Sequence, residues 1–234
     1  MNKEEFINEV KKLGIDVNDE KMLLLDKYYK MLIEWNEKIN LTAITDENGV
    51  YLKHFYDSLT LVKVVDLSQN LSICDVGSGA GFPGIVLKIF FPNLEIKLID
   101  SLQKRINYLN IVIEKLNLKN ITCEHIRMED YSKENIEKFD YITARAVANL
   151  GVLSEISVRS LKINGCLVFM KGKCDEELDK FLTKSSELGL VFEKKEEFVL
   201  PFENSTRTIL TFKKISKTRD KYPRRIDIIK KEYL

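Results

Sequence analysis

A glycine-rich loop is the segment of this chain whose residue types are best suited to ligand chemistry. It runs from Asp75 to Gly84 with the sequence DVGSGAGFPG, directly after a short apolar run. Glycines at such a position let the backbone approach a ligand closely at the carboxyl end of a strand. The portion from Gly79 to Gly84 also matches the dinucleotide-binding pattern GxGxxG, which is a weak signal when it stands alone.

Two acidic residues help to distinguish between the possible cofactors. Asp75 would repel a pyrophosphate by about 1 kcal/mol or more at a partly wet site, whereas it would attract the ammonium and sulfonium groups of S-adenosylmethionine. Asp100 ends the next apolar run, 23 residues after Gly77, where a carboxylate can accept both ribose hydroxyls of an adenosine. Together with Gly77, Gly79 and Gly81, these acids favour an S-adenosylmethionine-dependent methyltransferase. An NAD(P)-linked oxidoreductase and a non-catalytic RNA-binding protein with a vestigial cofactor loop are the alternatives.

The elements around this loop predict an α/β fold. Short apolar runs alternate with amphipathic stretches from residue 71 onward, which indicates βαβ units, and the last two runs indicate an antiparallel pair. The predicted strands are Leu71–Val76, Glu95–Ile99, Ile121–His125, Phe139–Thr143, Cys166–Met170, Phe192–Leu200 and Thr206–Lys213. The predicted helices between them are Pro83–Phe91, Leu102–Leu116 and Val147–Leu161. We therefore expect a Rossmann-like class I methyltransferase fold, with a mostly parallel seven-stranded sheet and helices on both faces.

The chain outside this region divides into two further parts. Residues 1–63 have the spacing of helices, with Tyr51–Val65 as the last of them, and predict an N-terminal helical cap. Residues 64–214 form the predicted methyltransferase domain, and residues 215–234 a basic tail. From residue 213 to the end there are nine Lys or Arg and three acids, a net charge of +6, while the rest carries −5.

This uneven charge predicts an anionic partner that touches one end of the molecule, although a solvated terminus would have the same composition. The candidates for phosphate contacts are Arg207, Lys213, Arg219, Arg224 and Arg225.

Composition excludes several classes of protein. With 44% hydrophobic residues the chain can build a core, and no run approaches the roughly 18 apolar residues of a membrane span. The charged N-terminus has no signal-peptide pattern, so we expect a cytoplasmic protein without a membrane partner. Four cysteines without CxxC spacing and two histidines argue against a zinc site, and we expect no metal.

The segment after the fourth predicted strand narrows the type of methyl transfer. Thr143–Val147 has no Asn/Asp-Pro-Pro-aromatic motif, which disfavours transfer to exocyclic amines, and no cysteine is placed for attack on C5 of a pyrimidine. Arg145 lies at the carboxyl end of a parallel strand, where ligands bind. It is therefore either a functional residue or one partner of a structural salt bridge.

The chain resembles the bacterial small-subunit rRNA guanine-N7 methyltransferase G family, also called glucose-inhibited division protein B. The resemblance covers nearly the whole chain and rests on Asn40–Thr42, His54–Leu59, Gly81–Gly84, Arg145–Ala146 and Tyr222–Arg225. It implies a single guanine of 16S rRNA, free or in the small ribosomal subunit, as the substrate, with methylation at N7. We expect the enzyme to be a monomer.

The resemblance also implies site residues. The cofactor residues would be Gly77, Phe82, Arg145 and the pair Met128–Glu129, where the family usually has Ala-Glu. His54 and Asp57 lie one helical turn apart and share a face, so they either cover the cofactor and base, as catalytic residues with Arg145, or fix the N-terminal helices to the sheet. Because guanine N7 carries a lone pair and no proton, we expect a reaction without a general base or a metal.

Overall fold

The computed structural model describes residues 1–145 and 148–233, and its centre is a seven-stranded sheet. The strands are β1 (Ser72–Val76), β2 (Glu95–Asp100), β3 (Ile121–His125), β4 (Phe139–Arg145), β5 (Leu161–Lys171), β6 (Leu190–Val199) and β7 (Thr206–Lys214). Their order is β3-β2-β1-β4-β5-β7-β6. Strands β1 to β5 pair in parallel, and β7 runs antiparallel to both of its neighbours. The predicted mostly parallel sheet with an antiparallel pair at one edge is confirmed.

The strand order determines where a ligand can bind. β1 pairs with β2 on one side and with β4 on the other. Strands β2 and β3 are therefore added on one side of β1, and β4 and β5 on the other, which makes β1 the switch point of the topology. At such a switch point the loops after neighbouring strands diverge and leave a crevice at the carboxyl ends. The glycine loop after β1, Asp100 at the end of β2 and Arg145 at the end of β4 meet there.

Helices cover both faces of the sheet. The α-helices are α1 (Lys3–Lys12), α2 (Asp19–Ile39), α3 (Glu47–Val50), α4 (Asp57–Leu59), α5 (Gly84–Phe90), α6 (Gln103–Lys115), α7 (Met128–Glu134), α8 (Leu150–Ser157), α9 (Asp175–Leu182) and α10 (Ile226–Tyr233). A π-helical turn spans Tyr51–Tyr56, and 3₁₀ turns span Thr60–Lys63, Val158–Ser160 and Ser185–Leu188. No helix of the described residues is both long and apolar enough to pass through a membrane.

Alternation along the strands separates two layers of core. On β5, Val168 and Met170 face a layer formed with the N-terminal helices, α5 and α6. Leu167 and Phe169 face the other layer, which α7 to α10 complete. Successive side chains of a strand point to opposite faces, so a fully buried strand is apolar on both, as the sequence of β5 is.

The N-terminal helices share the core of the sheet. Tyr28 of α2 packs against Phe55 of the π turn and against Phe82 of the glycine loop, and its hydroxyl donates a hydrogen bond to the Ala80 carbonyl. The segment predicted as one helix over Tyr51–Val65 is instead divided into the π turn, α4 and a 3₁₀ turn. Local spacing predicts helical backbone there but does not separate these turn types.

The basic tail folds back onto the body of the protein. Ile229 and Tyr233 of α10 are buried, and α10 packs against α8. A Cβ at Gly151 would lie only 2.1 Å from the Tyr233 ring, so this glycine permits the close approach. The predicted helix over residues 147–161 begins at Leu150 within the described residues, and its predicted start, Val147, lies outside them.

Candidate active site

A cavity of about 790 Å³ opens at the carboxyl ends of the parallel strands. Its walls come from the glycine loop, the ends of β2, β4 and β5, residues 41–44, the π turn with α4, and the start of β7. The volume lies within the range of roughly 300–1,000 Å³ that is typical of small-molecule sites. The structure thus brings the loop, Asp100 and Arg145 together in one site.

The loop glycines have distinct roles. Gly77, Gly79 and Gly81 all have positive φ angles, of 68°, 57° and 99°. A Cβ at Gly79 would meet no atom closer than 3.8 Å, because this face of the loop is turned toward the cavity. A Cβ at Gly81 would lie 2.6 Å from Ile85 and 2.7 Å from the Tyr28 hydroxyl. Gly79 therefore offers backbone to a ligand, whereas Gly81 allows the loop to pack on the N-terminal helices.

Asp75 lies behind the loop and does not line the cavity. Its carboxylate is fully buried, and Oδ2 accepts a hydrogen bond of 2.9 Å from the Gly84 amide at the start of α5. Oδ1 has no hydrogen-bond partner among the described residues. Burial raises the pKa of Asp75 to about 7, although the Gly84 amide and the charge of Arg145 act in the opposite direction. Asp75 thus supports the loop, whereas we expected it from the sequence to lie beside the cofactor.

Asp100 lies where the sequence pattern predicts it, at the floor of the cavity. Its Oδ1 accepts from the Leu102 amide at 2.9 Å. Its Oδ2 accepts from the Gly79 amide at 2.9 Å and from Nη1 of Arg105 at 3.2 Å. A carboxylate has about four acceptor sites, so three are already engaged. A ligand hydroxyl would take the remaining site or displace the partly exposed Arg105 side chain.

Arg145 is fixed by contacts with the N-terminal helices. Its Nη1 donates to the Lys53 carbonyl at 2.7 Å and to Oδ2 of Asp57 at 3.1 Å. Its Nη2 donates to Nδ1 of His54 at 3.1 Å. The guanidinium carbon also lies 5.2 Å from the centre of the Phe82 ring. Arg145 thus ties the cap to the end of β4 while it lines the cavity.

His54 is held as a neutral imidazole. Because Nδ1 accepts a hydrogen bond from Arg145, the ring proton is on Nε2. The Nε2–H group donates a hydrogen bond of 2.8 Å to Oγ1 of Thr42. Burial and the charge of Arg145 lower the pKa of His54 to about 3. The ring also stacks on Phe82 with centres 4.5 Å apart. A histidine in this state positions its neighbours and does not accept a proton near neutral pH.

Asp57 bridges two arginines. Its Oδ2 pairs with Arg145, and its Oδ1 lies 3.3 Å from Nε of Arg207 without making a hydrogen bond there. Arg207 lines the cavity and donates from Nη1 to Oγ of Ser205 at 2.6 Å. Sequence composition groups Arg207 with the tail cations, and the structure places it in the site.

Two predicted cofactor residues lie outside the cavity wall. Met128, at the start of α7, is buried in the core layer on the opposite face from the N-terminal helices. Glu129 has a side chain that lies 3.8 Å from Arg127. Within the described residues neither side chain lines the cavity. Both residues are nevertheless near it in the fold, because α7 follows β3 and β3 is the neighbour of β2 in the sheet.

The remaining predicted phosphate contacts differ among themselves. Lys213 lies away from the cavity on β7. It pairs with Cys166 of β5, whereas the cavity end of β7 is marked by Thr208, five residues earlier, which pairs with Lys171. Arg224 holds the fully buried Glu155 through hydrogen bonds of 2.8 and 2.6 Å and also pairs with Glu232. These contacts raise the pKa of Arg224 and give it a structural role. The other two tail arginines are exposed, at positions Arg219 and Arg225.

Some cavity residues were not among the predicted site residues. Thr42, Lys53, Ser101 and Arg105 line the cavity, as do Lys171 and Gly172. Thr42 belongs to Asn40–Thr42, one of the segments on which the family resemblance rests, and this membership could have identified it as a site residue. In the described part of the chain no group of three or more His, Cys, Asp or Glu residues is placed to hold a metal ion.

The sheet order, the glycine loop after β1 and the acid at the end of β2 define the class of Rossmann-like methyltransferases. Solved structures with this fold include a SAM-dependent methyltransferase from Aquifex aeolicus, with a TM-score of 0.52 and 20% identity, covering 74% of this chain and 96% of that one. A precorrin-6y C5,15-methyltransferase from Geobacter metallireducens has a TM-score of 0.52 and 17% identity, covering 68% and 87%. At these identities the comparison shows the fold alone.

The family follows from closer relatives. The family model described as rRNA small subunit methyltransferase G matches residues 21–208. Proteins named ribosomal RNA small subunit methyltransferase G from Bacillus cytotoxicus and Staphylococcus carnosus are 46% and 44% identical, each covering 96% of this chain and 95% of the relative. The relative from Macrococcus caseolyticus is 46% identical and covers 100% and 99%. The chain belongs to the rRNA small subunit methyltransferase G family and is a methyltransferase.

Proposed function

We propose that this chain transfers the methyl group of S-adenosylmethionine to N7 of a guanine in 16S rRNA. The observation that carries the proposal is the cavity, where the glycine loop and Asp100 face the clamped pair of Arg145 and His54. Membership in the rRNA small subunit methyltransferase G family supports RNA of the small subunit as the substrate.

The residues of the cavity fit S-adenosylmethionine. The open face of Gly79 lets the ligand approach the backbone, and the buried acid Asp100 lies beside it, suited to ribose hydroxyls. When bound, S-adenosylmethionine supplies an electrophilic methyl group on a positively charged sulfur. The carboxylate of Asp100 favours a cation in this cavity. Asp75 adds less, because it lies behind the loop and its pKa is raised to about 7, so that it is only partly ionised near neutral pH.

The state of the polar side chains agrees with a reaction that moves no proton. Guanine N7 attacks with a lone pair that is free at neutral pH. Both ring nitrogens of His54 are engaged and its pKa is lowered to about 3, while the guanidinium of Arg145 offers only hydrogen-bond donors. These residues therefore position the base and cofactor, and correct placement of two reactants can lower the barrier by several kcal/mol.

The walls of the cavity offer groups that can recognise a guanine. Oδ1 of Asp57 is buried without a hydrogen-bond partner among the described residues, beside the Arg207 side chain. A carboxylate accepts N–H groups and an arginine donates to a carbonyl oxygen, which are the two kinds of group that guanine presents along its edges. We infer that Asp57 and Arg207 hold the base while Arg145 orients both.

The candidates for phosphate contacts divide into two groups. Arg207 lines the cavity, where we assign it to the base, and Lys213, Arg219 and Arg225 remain candidates on the surface, where they would contribute sequence-independent affinity. Arg224 is left out of this set because its guanidinium is occupied by Glu155 and Glu232.

The experiment that tests the function is mass mapping of modified nucleotides in 16S rRNA from cells with and without this chain. We expect one N7-methylguanine to disappear without the chain and to return when the purified enzyme and S-adenosylmethionine are added. An unchanged set of modifications, or restoration of a methyl group on another atom, would contradict the proposal.

A further inference from the structure

Phe202 is an aromatic side chain presented to solvent next to the active site. It is 61% exposed, which is the highest value among the exposed large hydrophobic residues of the described chain, and it is the only aromatic one among them. It lies in the turn between β6 and β7, which covers residues 200–205. Its φ angle is 65°, in a region that residues other than glycine rarely adopt.

The turn is anchored on both sides of Phe202, in the core before it and on the cavity wall after it. Leu200 is buried in the core before it. After it, Oε1 of Glu203 lies 2.8 Å from Nζ of Lys53, and Oγ of Ser205 accepts from Arg207. Lys53 and Arg207 both line the cavity. Because consecutive Cα atoms are about 3.8 Å apart, the backbone of Phe202 lies next to Glu203, whose carboxylate reaches the cavity wall, and we infer that Phe202 stands at the rim.

We propose that Phe202 stacks on an unpaired nucleotide of the RNA substrate that flanks the methylated guanine. The proposal rests on the function proposed above. Proteins read RNA chiefly at unpaired segments, where splayed bases stack on aromatic side chains. A ring at the rim would hold the neighbouring nucleotide while the target guanine enters the cavity, and it would keep the strand from closing over the extruded base.

The surroundings of the ring favour RNA over a protein partner. The next three residues, Glu203 to Ser205, are polar, and the cations Lys53 and Arg207 lie beside them. A site that binds a protein partner would require a larger continuous apolar area than one aromatic side chain provides. An aromatic ring beside a lysine and an arginine, which are paired here with Glu203 and Asp57, supplies the two elements that bind single-stranded nucleic acid, a stacking surface and cations.

The test compares Phe202→Ala with Phe202→Trp in steady-state methyl transfer to small ribosomal subunits from cells that lack the chain. Phe202→Ala should raise KM for the subunit roughly tenfold, which is the usual effect of losing one base stack. The value of kcat at saturating subunit and the affinity for S-adenosylmethionine should stay unchanged. Phe202→Trp should keep KM close to that of the unaltered enzyme. The control Leu23→Ala, which removes a side chain that is 54% exposed on α2, should leave KM unchanged.

A direct measurement uses the single tryptophan of the chain, Trp35. In a Trp35→Phe background, Phe202→Trp places the only indole at the rim, and its fluorescence should be quenched when the substrate subunit binds. Phe202→Gly is the folding control, because glycine adopts a φ of 65° without strain.

The proposal is overturned if Phe202→Ala leaves KM unchanged. It is also overturned if Phe202→Leu keeps KM as low as Phe202→Trp does, which would indicate an apolar protein contact. Equal losses of S-adenosylmethionine affinity in the Ala and Gly variants would also overturn it. If the unaltered enzyme methylates no RNA at all, the proposed function fails first.

Discussion

Two buried groups of the active site should make stability respond to pH in opposite directions. His54 has a pKa lowered from 6.5 to about 3, so on acidification the unfolded chain takes up its proton first and stability falls below pH 6.5. Asp75 has a pKa raised from 3.8 to about 7, so the folded chain takes up the proton first, and the stability from this group is lost as pH rises through 7. The two groups should therefore compensate each other in the unaltered protein.

The size of each effect follows from these values. Each pH unit in which the folded and unfolded states differ by one proton changes the free energy of unfolding by about 1.4 kcal/mol. Between about pH 6.5 and about pH 5, His54 should lower stability by about 2 kcal/mol and Asp75 should raise it by about 2 kcal/mol. The sum of the two contributions should be close to zero over this interval.

Single substitutions separate the two contributions. His54→Gln keeps an acceptor for Arg145 and a donor for Thr42 but cannot titrate, so this variant should gain about 2 kcal/mol relative to the unaltered protein on acidification. Asp75→Asn keeps an acceptor for the Gly84 amide and should lose about 2 kcal/mol over the same interval. Urea unfolding at the two pH values, without cofactor, measures both changes.

The double variant is the matched control, since it should show the same pH dependence as the unaltered protein. Stopping at pH 5 keeps most ordinary carboxylates ionised in both states. Parallel pH profiles for the two single variants would refute the reasoning, because they would show that neither group changes its proton occupancy on folding.

Four further predictions concern the cofactor, the reaction, the RNA surface and the stability of the fold. Asp100→Ala should weaken S-adenosylmethionine binding by about 1–3 kcal/mol, the usual scale for losing hydrogen bonds to a charged group, and unchanged affinity by calorimetry would contradict the assignment. His54→Gln should reduce kcat by less than the roughly 10²–10⁴-fold expected of a general base, with single-turnover rates nearly flat from mildly acidic to mildly basic pH, whereas a bell-shaped profile that disappears in this variant would show that a proton is transferred. The pair Arg219→Gln and Arg225→Gln should reduce the slope of log affinity against log salt by about 0.7–0.9 for each phosphate that is no longer neutralised, and an identical slope would exclude both arginines from the interface. Arg224→Gln should instead destabilise the fold by about 3 kcal/mol or more, since it leaves the buried Glu155 unpaired, and an unchanged melting temperature would contradict this role.

The sheet was predictable from sequence because its strands are short apolar runs bounded by polar segments. The predicted strand Ile121–His125 matches β3, and most other strand ends differ by one or two residues. β5 is longer than predicted, because its first part, Leu161–Gly165, alternates less clearly. Helices α7, α9 and α10 were not predicted, because local periodicity is weak over two turns and half or more of their residues are charged, unlike in the equally short α5 and α8.

The tail shows a different limit of sequence analysis. Its charge predicted an anionic partner, but composition does not show whether a cation faces solvent or a buried carboxylate. Arg224 reaches Glu155, which is 69 residues away in sequence, and α10 packs on α8. A test by truncating the chain after Thr211 would therefore remove part of β7 and part of the core, so charge substitutions are the better experiment.

The class of the protein could be read from local sequence pattern, because the glycine loop, Asp100 and Arg145 each stand next to a strand end whose position follows from that pattern. The roles of the side chains depend on how distant parts of the chain pack together. Asp75 turns behind the loop because the first amide of α5 needs an acceptor there. His54 is neutral because Arg145, from a strand about ninety residues later, donates to it, and Arg207 enters the cavity because β7 runs antiparallel beside β5. Protonation and charge pairing depend on burial and on partners distant in sequence, which no local spacing specifies.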